Sequence, residues 1–397
     1  MNILLISTTD ILGGAAKVAW ELKTDLTARG HTVTMFVADK RSTDPSVKVI
    51  PRSFWRKLLC FVFATERFLQ SDWLLETDEF KAADLVHCHN LHGRYFNLRT
   101  LEAMAAKKPV VWTLHDEWAL TPHCAYTLEG TTTKNGLYVC PSLDTQPRLL
   151  WDNTTALAKE RTALYARTAF TLVTPCAWLA ERTKRTALGS HPIHTIYNGI
   201  DTTTFTQSNR QSAREALGLP LDKKIVLFLA TAGKANTWKG WPYTEAVINH
   251  FKHDPSVLFL NVGGLTDETP DHPNVIYRRH VSDPHELARY YSAADTLLFT
   301  SIAENFPLVI LEAMSCGLPI VAFRVGGVPE VLEHNRNGFL APYRDTAALI
   351  AGTAWALNVS AAERAAISAH ASAKIRASFD RTQMLAAYHA LYNDLVN

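Results

Sequence analysis

The stretch "KKIVLFLA" at residues 223–230 decides how the chain is divided. A lysine pair leads into an unbroken apolar run of strand length, the pattern of a parallel strand buried on both faces. Upstream, comparable runs occur at "NILLIS" (2–7), "TVTMFVA" (32–38), "LVHCH" (85–89), "PVVWTLH" (109–115) and "FTLVTP" (170–175). Helix-length segments separate them, among them "AAKVAWELKTDLTARG" ending at Gly30. Downstream the pattern restarts and continues through "SVLFLNVGG" (256–264), "VIYRRH" (275–280), "TLLFTS" (296–301) and "PIVAF" (319–323). Strands alternating with helices predict parallel βαβ units, and two such series predict two Rossmann-like domains. A chain of 397 residues is also too long for one ordinary core. The Asn-Gly turn signal in "TIYNGIDTTTF" (195–205) marks the hinge, giving domains at 1–198 and 199–378. The closing segment "DRTQMLAAYHALYNDLVN" reads as an amphipathic helix.

Bulk properties narrow the function. Net charge is +2, which gives no general electrostatic case for nucleic acid. The start "MNILLISTTD" enters as a strand without a basic leader, so a signal peptide is not expected. Apolar runs such as "LLCFVFA" (58–64) fall short of the roughly 18–20 residues that span a bilayer. The six cysteines lack CxxC spacing and read as reduced cytoplasmic thiols. A metal site from His123, Cys124 and Cys140 is the minority reading there, for want of tight spacing.

Open parallel sheets bind ligands beyond the carboxyl ends of their strands, so the loops there carry the chemistry. "STTDILGGAAKVAW" is not GxGxxG, and the dinucleotide fingerprint is absent. Gly13 and Gly14 still open a helix whose free N–H groups suit an anion or a sugar hydroxyl; a tight turn explains them equally. Lys234 and Lys239 in "AGKANTWKGW" could reach one diphosphate, or could be two solvated lysines. In "AENFPLVILEAMSCG", Pro307 suits the first turn of a helix, which would free the N–H groups of Leu308 and Val309 for phosphate. Glu304 precedes that helix and Glu312 lies inside it. A carboxylate can accept two hydrogen bonds from a sugar diol, while a salt bridge and a helix-face carboxylate are the plainer alternatives. In "VHCHNLHG", His87 and His89 share one strand face; a sugar-facing loop with Asn90 and His92 is favoured over a metal cluster. Asp116 and Glu117 suit acceptor binding or a base role, or capping of the next helix.

The stretch "ENFPLVILEAMSCGLPIVAFRVGGVPEVL" resembles the glutamate-x7-glutamate region of retaining GT-B-fold glycosyltransferases, in the large fourth family (glycosyl transferases group 1). "LGGAAKVAWEL", "DLVHCHNLHG", "TLHDEWALTPHC", "YNGIDTTTF", "KGW" and "NGFLAP" follow in that family's order, and the set is similar to bacterial polysaccharide-assembly members. The resemblance implies an α/β GT-B fold, two Rossmann-like domains facing across a cleft, with the helix at 379–397 returning to the first. It implies a nucleotide-sugar donor, UDP- or GDP-linked, and a saccharide or lipid-linked acceptor. It further implies Glu312 on the ribose, Glu304 beside the donor hexose, and backbone donors from the segment 305–308, in which Asn305, Phe306 and Leu308 carry the N–H groups and Pro307 shapes the turn. Lys239 would neutralise the diphosphate, His115 would face the reacting sugar, and Gly14 would lie near phosphate and acceptor. Lys234 stands where the family usually has arginine. No Asp-x-Asp triplet occurs, and metal-independent catalysis without a cofactor is the expectation. A GT-B epimerase or phosphorylase, or a noncatalytic carbohydrate-binding protein, are the rival functions. Finally, "SFWRKLLCFVFATERFLQ" (53–70) mixes basic and apolar residues, and either core packing or contact with the inner face of the membrane explains it.

Overall fold

The computed structural model describes residues 1–229, 236–264 and 272–396. Its fifteen described strands are β1 (Asn2–Thr9), β2 (Thr32–Asp39), β3 (Val47–Val49), β4 (Leu85–Cys88), β5 (Val110–Thr113), β6 (Thr133–Lys134), β7 (Leu137–Tyr138), β8 (Thr171–Thr174), β9 (Ile193–Thr195), β10 (Lys224–Leu229), β11 (Val257–Gly264), β12 (Val275–Arg279), β13 (Thr296–Phe299), β14 (Ile320–Phe323) and β15 (Gly338–Ala341). Two compact units result, Met1–Asn198 with Met384–Asn397, and Gly199–Gln383.

The first unit is built on a seven-stranded sheet in the order β3-β2-β1-β4-β5-β8-β9, every pairing parallel. β4, β5 and β8 are buried at every residue, as expected when helices cover both faces of a parallel sheet. The helix Gly14–Ala28 shows why: Ala16, Val18, Ala19, Leu22 and Leu26 recur at helical spacing and form its buried stripe. Four short strands were not foreseen. β3, β9 and the β6–β7 hairpin have two or three residues each, too few to show a period.

The second unit holds a six-stranded parallel sheet in the order β12-β11-β10-β13-β14-β15. Its helices are capped by side chains with short reach to the backbone. Asp283 and Asp345 accept N–H bonds at two N-termini, and Ser360 with Glu363 forms a reciprocal capping box. Asp295, at the start of the central strand region, gathers Arg214 at 2.8 Å and Arg210 at 2.9 Å, and also accepts from the N–H of Ile225. The buried pair Arg214–Asp295, with Arg210 reaching in from the surface, ties the helix Arg210–Ala216 to the sheet.

In each sheet the strand order reverses at one point, between β1 and β4 in the first and between β10 and β13 in the second. Loops leaving the carboxyl ends there diverge and open a crevice. No described helix is long and apolar enough to cross a membrane.

The cysteine expectation needs correction. Cys124 and Cys140 are paired in a disulfide, with Cα atoms 5.9 Å apart. Cys60, Cys88, Cys176 and Cys316 are free and buried, so the reduced-thiol argument for the cytoplasm rests on four residues, not six. The pairing also consumes both sulfurs of the suggested metal site; His123 instead hydrogen-bonds the Pro147 carbonyl at 3.0 Å.

Candidate active site

In the second unit, the loop after β13 carries Glu304 to the N-terminus of the helix Leu308–Ser315. Pro307 sits at the N-cap, one position earlier than the first-turn placement predicted for it. The N–H groups of Leu308 and Val309 have no helical acceptor, and none of the described residues supplies one. They are half-buried donors at the positive end of a helix dipole.

Beside them, Lys239 Nζ meets Glu304 Oε1 at 2.6 Å, with both side chains only partly exposed. Local chemistry fixes that meeting. Asn236 caps the turn Thr237–Lys239 by accepting from Trp238 N–H, and Gly240 follows in the left-handed conformation. A Cβ at Gly240 would collide with the Thr300 carbonyl, so only glycine lets the lysine loop dock there. The docking is sealed by Thr300 Oγ1 donating to the Lys239 carbonyl (2.8 Å) and Ile302 N–H to the Trp238 carbonyl (2.9 Å). Gly326 plays the same part from the other side, at φ +55°, where any Cβ would strike the Glu304 carbonyl. Its neighbour Gly327 donates to the Asn305 carbonyl at 2.8 Å. Sequence reading missed Gly240 and Gly326 as site builders, although "KGW" and "VGGVP" display both.

Glu312 is 4% exposed, and its Oε2 accepts from Tyr291 O–H at 2.9 Å. Tyr291 was not anticipated. Phe306 turns its ring inward against Phe379, with centroids 5.5 Å apart, so its side chain anchors the loop in the core. Lys234 falls in 230–235, outside the described residues.

In the first unit the sequence-predicted residues gather at the β1/β4 reversal. Gly13 caps the helix at φ +92°, a value that favours glycine, and Gly14 begins it; both are exposed. Asp10, which sequence reading passed over, holds this loop by accepting from the N–H groups of Arg41 and Ser42 (2.9 and 2.8 Å). The Asn90 carbonyl is fixed by Thr8 and Tyr95 hydroxyls at 3.0 and 2.5 Å.

Four histidines line the strand ends. His87 bridges Tyr392 O–H (2.5 Å) and Thr113 Oγ1 (2.7 Å), and Thr113 also meets Tyr388 O–H (3.0 Å). His89 lies tilted against His87, stacks on His115 and pairs its Nδ1 with His115 Nε2 at 2.8 Å. Burial holds His87 down to about 3 and His115 down to about 4, so both rings are neutral near pH 7. Burial also pushes His89 well below the usual range. His92 goes the other way. Burial opposes its charge, but Asp116 Oδ2 at 2.6 Å, by charge and hydrogen bond, outweighs that and raises it.

Asp116 also caps the next turn through Trp118 N–H (2.9 Å). Glu117 is corrected: it is 2% exposed, ion-paired with Arg182 at 2.6 Å and bonded to Thr127 N–H, which removes it from acceptor or base work. The histidines do not form a metal cluster. Among the described residues no group of three His, Cys, Asp or Glu side chains is arranged to hold an ion.

Comparison with known proteins matches this architecture. Residues 12–204 fit the family described as Glycosyltransferase Family 4, and residues 223–358 fit Glycosyl transferases group 1. The chain is 27% identical over 356 residues to WcaC of Escherichia coli (strain K12), named as a colanic acid biosynthesis glycosyl transferase; the match covers 84% of this chain and 85% of WcaC. Matches to D-inositol 3-phosphate glycosyltransferases, such as that of Mycobacterium avium (strain 104), reach 32% identity over 213 residues but span only 49% of that protein. Among solved structures, sucrose-phosphate synthase from Thermosynechococcus elongatus superposes with a TM-score of 0.70 at 20% identity, covering 99% of this chain and 98% of that one. HepE of Anabaena, solved with UDP and glucose, gives 0.69 at 19% identity with full coverage of both chains. At such identities the likeness establishes the fold, GT-B. Two family domains in succession, on two parallel-sheet units of that fold, make this chain a member of the group 1 (family 4) glycosyltransferases.

Proposed function

We propose that the protein transfers a hexosyl group, with retention of configuration, from a nucleoside diphosphate sugar to a saccharide or lipid-linked saccharide in surface polysaccharide assembly. One observation carries the reading: Lys239 and Glu304 are paired at 2.6 Å beside the unpartnered N–H groups of Leu308 and Val309. That arrangement offers a cation and two directed donors to a diphosphate, and a carboxylate to sugar hydroxyls. The net reaction breaks the sugar's anomeric C–O bond to phosphate, forms a C–O bond to an acceptor hydroxyl and releases that hydroxyl's proton. Negative charge grows on the departing phosphate, and Lys239 with the helix N-terminus stabilises it electrostatically. We assign Glu312 to the ribose, in exchange for its bond to Tyr291, and Glu304 to the hexose. Neutral His115, with Asn90, Asp116 and His92 around it, is assigned to the reacting sugar and acceptor, and the Gly13–Gly14 turn to phosphate or acceptor hydroxyls. Because lysine and backbone supply the positive charge, metal is not required in this reading. The polysaccharide role follows the name of WcaC, and UDP as one candidate nucleotide follows the HepE complex.

The test is a panel of UDP-, GDP- and ADP-sugars, first for thermal stabilisation and then for transfer in the presence of a chelator. Stabilisation by one donor, chelator-resistant turnover and an α-linked product from an α-donor are expected. Turnover of donor alone to its epimer, or only with inorganic phosphate, would replace the reading by epimerase or phosphorylase.

A further inference from the structure

The helix Phe54–Val62 carries its apolar side outward. Cys60 is its only buried residue. Phe54 (70%) and Trp55 (71%) are the most exposed large apolar side chains of the unit, and Leu58, Leu59, Val62 and Phe63 are exposed as well. At 100° per residue, positions 54, 55, 58, 59 and 62 fall on one face, opposite Cys60. The core-packing reading of 53–70 therefore holds for Cys60, Ala64 and Leu69 and fails for the outward face of this helix. Contiguous exposed apolar surface of this kind marks an interaction site.

What borders the face says which partner. A cavity of about 470 Å³ opens beside the helix, lined by Arg52, Arg56, Lys57, Arg94, Trp73 and Tyr95 among others, and by no carboxylate. Arg52 is answered by Asp39 at 2.5 Å. Arg56, Lys57 and Arg94 have no carboxylate partner among the described residues, and the Lys57 ammonium has no hydrogen-bond partner there either. Burial first, and then the nearness of Arg52, lower the Lys57 ammonium from its ordinary range, with Asp39 opposing. The Trp73 indole N–H is a buried donor without a partner. Crowded cations and a spare donor around an open space suit a phosphate.

We propose that this face is a membrane anchor: the outward side of the helix Phe54–Val62 enters the interface of a bilayer, and the adjoining cationic cavity takes the phosphate of an anionic lipid. An in-plane helix with aromatic residues on its apolar side and flanking Lys and Arg has the composition that binds anionic membranes. The anchor would keep the enzyme beside lipid-linked acceptors. The proposal does not depend on the donor assignments, and its test reads binding to lipid instead of transfer.

Full-length protein is floated with phosphatidylcholine vesicles, with and without phosphatidylglycerol. The wild type is expected to bind the anionic vesicles and to bind neutral ones weakly. Arg56→Gln/Lys57→Gln should weaken binding to anionic vesicles roughly thirtyfold, at about tenfold per 1.4 kcal/mol and about 1 kcal/mol per cation, and leave neutral vesicles unchanged. Phe54→Ser/Trp55→Ser should abolish binding to both. Melting temperatures equal to wild type certify the folds; should a double variant melt early, the single changes Lys57→Gln and Trp55→Ser carry the same comparison. Three results overturn the proposal. One is a wild type that binds neither vesicle. The second is inorganic phosphate binding that Lys57→Gln abolishes while vesicle binding persists, which would make the cavity a site for soluble phosphate. The third is a dimer that Phe54→Ser/Trp55→Ser converts to monomer without altering vesicle binding, which would make the face a contact between copies of this chain.

Discussion

The two strand-order reversals of this molecule handle charge in opposite ways. Around β1 and β4, burial strips charge from three histidines, and the buried acids are tied down, Glu117 to Arg182, Asp116 to His92 and Asp10 to backbone N–H groups. Around β10 and β13, Glu312 is buried on the Tyr291 hydroxyl but one ion pair is kept in reach of solvent: Lys239 is 31% exposed and its partner Glu304 12%. The first arrangement positions neutral hydrogen-bonding groups and fixes the fold. The second holds ions that can exchange one partner for another at little desolvation cost. The difference separates a region that orients from a region that neutralises.

This contrast can be broken experimentally. Glu117→Ala strands the buried Arg182 guanidinium and should cost about 3–5 kcal/mol of stability, read by denaturant unfolding of the variant. A loss under about 1 kcal/mol would mean the pair is solvated and the contrast false. Lys239→Ala should instead leave the midpoint near wild type while lowering kcat by about 10²–10³, the loss typical of one electrostatic stabiliser. Tyr291→Phe removes the donor to buried Glu312 and should cost about 1–3 kcal/mol, with the larger share seen in unfolding and not in turnover.

The smallest effect concerns pH, and its sign follows from the histidines. His87, His89 and His115 have folded pKa values below the ordinary 6.5, so the unfolded chain takes up protons that the native state refuses. Their contribution is complete above the unfolded value and is lost as pH falls through 6.5 toward about 4 and about 3. His92, raised by Asp116, acts in reverse: its contribution is present below the ordinary value and is lost as pH rises through the raised one. His31, His123 and His191 are lowered in the same sense, so six histidines against His92 and the raised carboxyls of Glu66 and Glu117 predict a melting temperature that falls between about pH 7 and about pH 5. A flat or rising profile would show that the three rings are not buried neutral.

The same contrast explains what the sequence could reveal. Strands buried on both faces announce themselves as apolar runs, and the restart at Lys224–Leu229 is plain in the letters "KKIVLFLA". The neutralising region is local on one side: Glu304, Pro307, Leu308 and Glu312 lie within one loop and helix, so their spacing could be read directly, while Lys239 reaches Glu304 across 65 positions. The orienting region is not local. His87 meets Tyr392 across 305 positions, and Thr113 meets Tyr388 across 275. Nothing in "LVHCH" signals that a tyrosine from the last helix supports it. The same holds for the Tyr291–Glu312 bond and for the turn that brings Cys124 to Cys140. Gly240 and Gly326 were visible as letters, but their need for glycine comes from carbonyls about 60 and about 20 positions away, which only the fold brings close.

The central claim is that Lys239 and the N-terminus of the helix Leu308–Ser315 bind the diphosphate of a sugar nucleotide. Titration calorimetry of wild type and Lys239→Met with UDP and with GDP tests it most directly. The account predicts that the wild type binds at least one of the two, and that the variant binds it at least about tenfold more weakly, the equivalent of about 1.4 kcal/mol. Equal binding by the two proteins, or no binding of either nucleotide by the wild type, would contradict it.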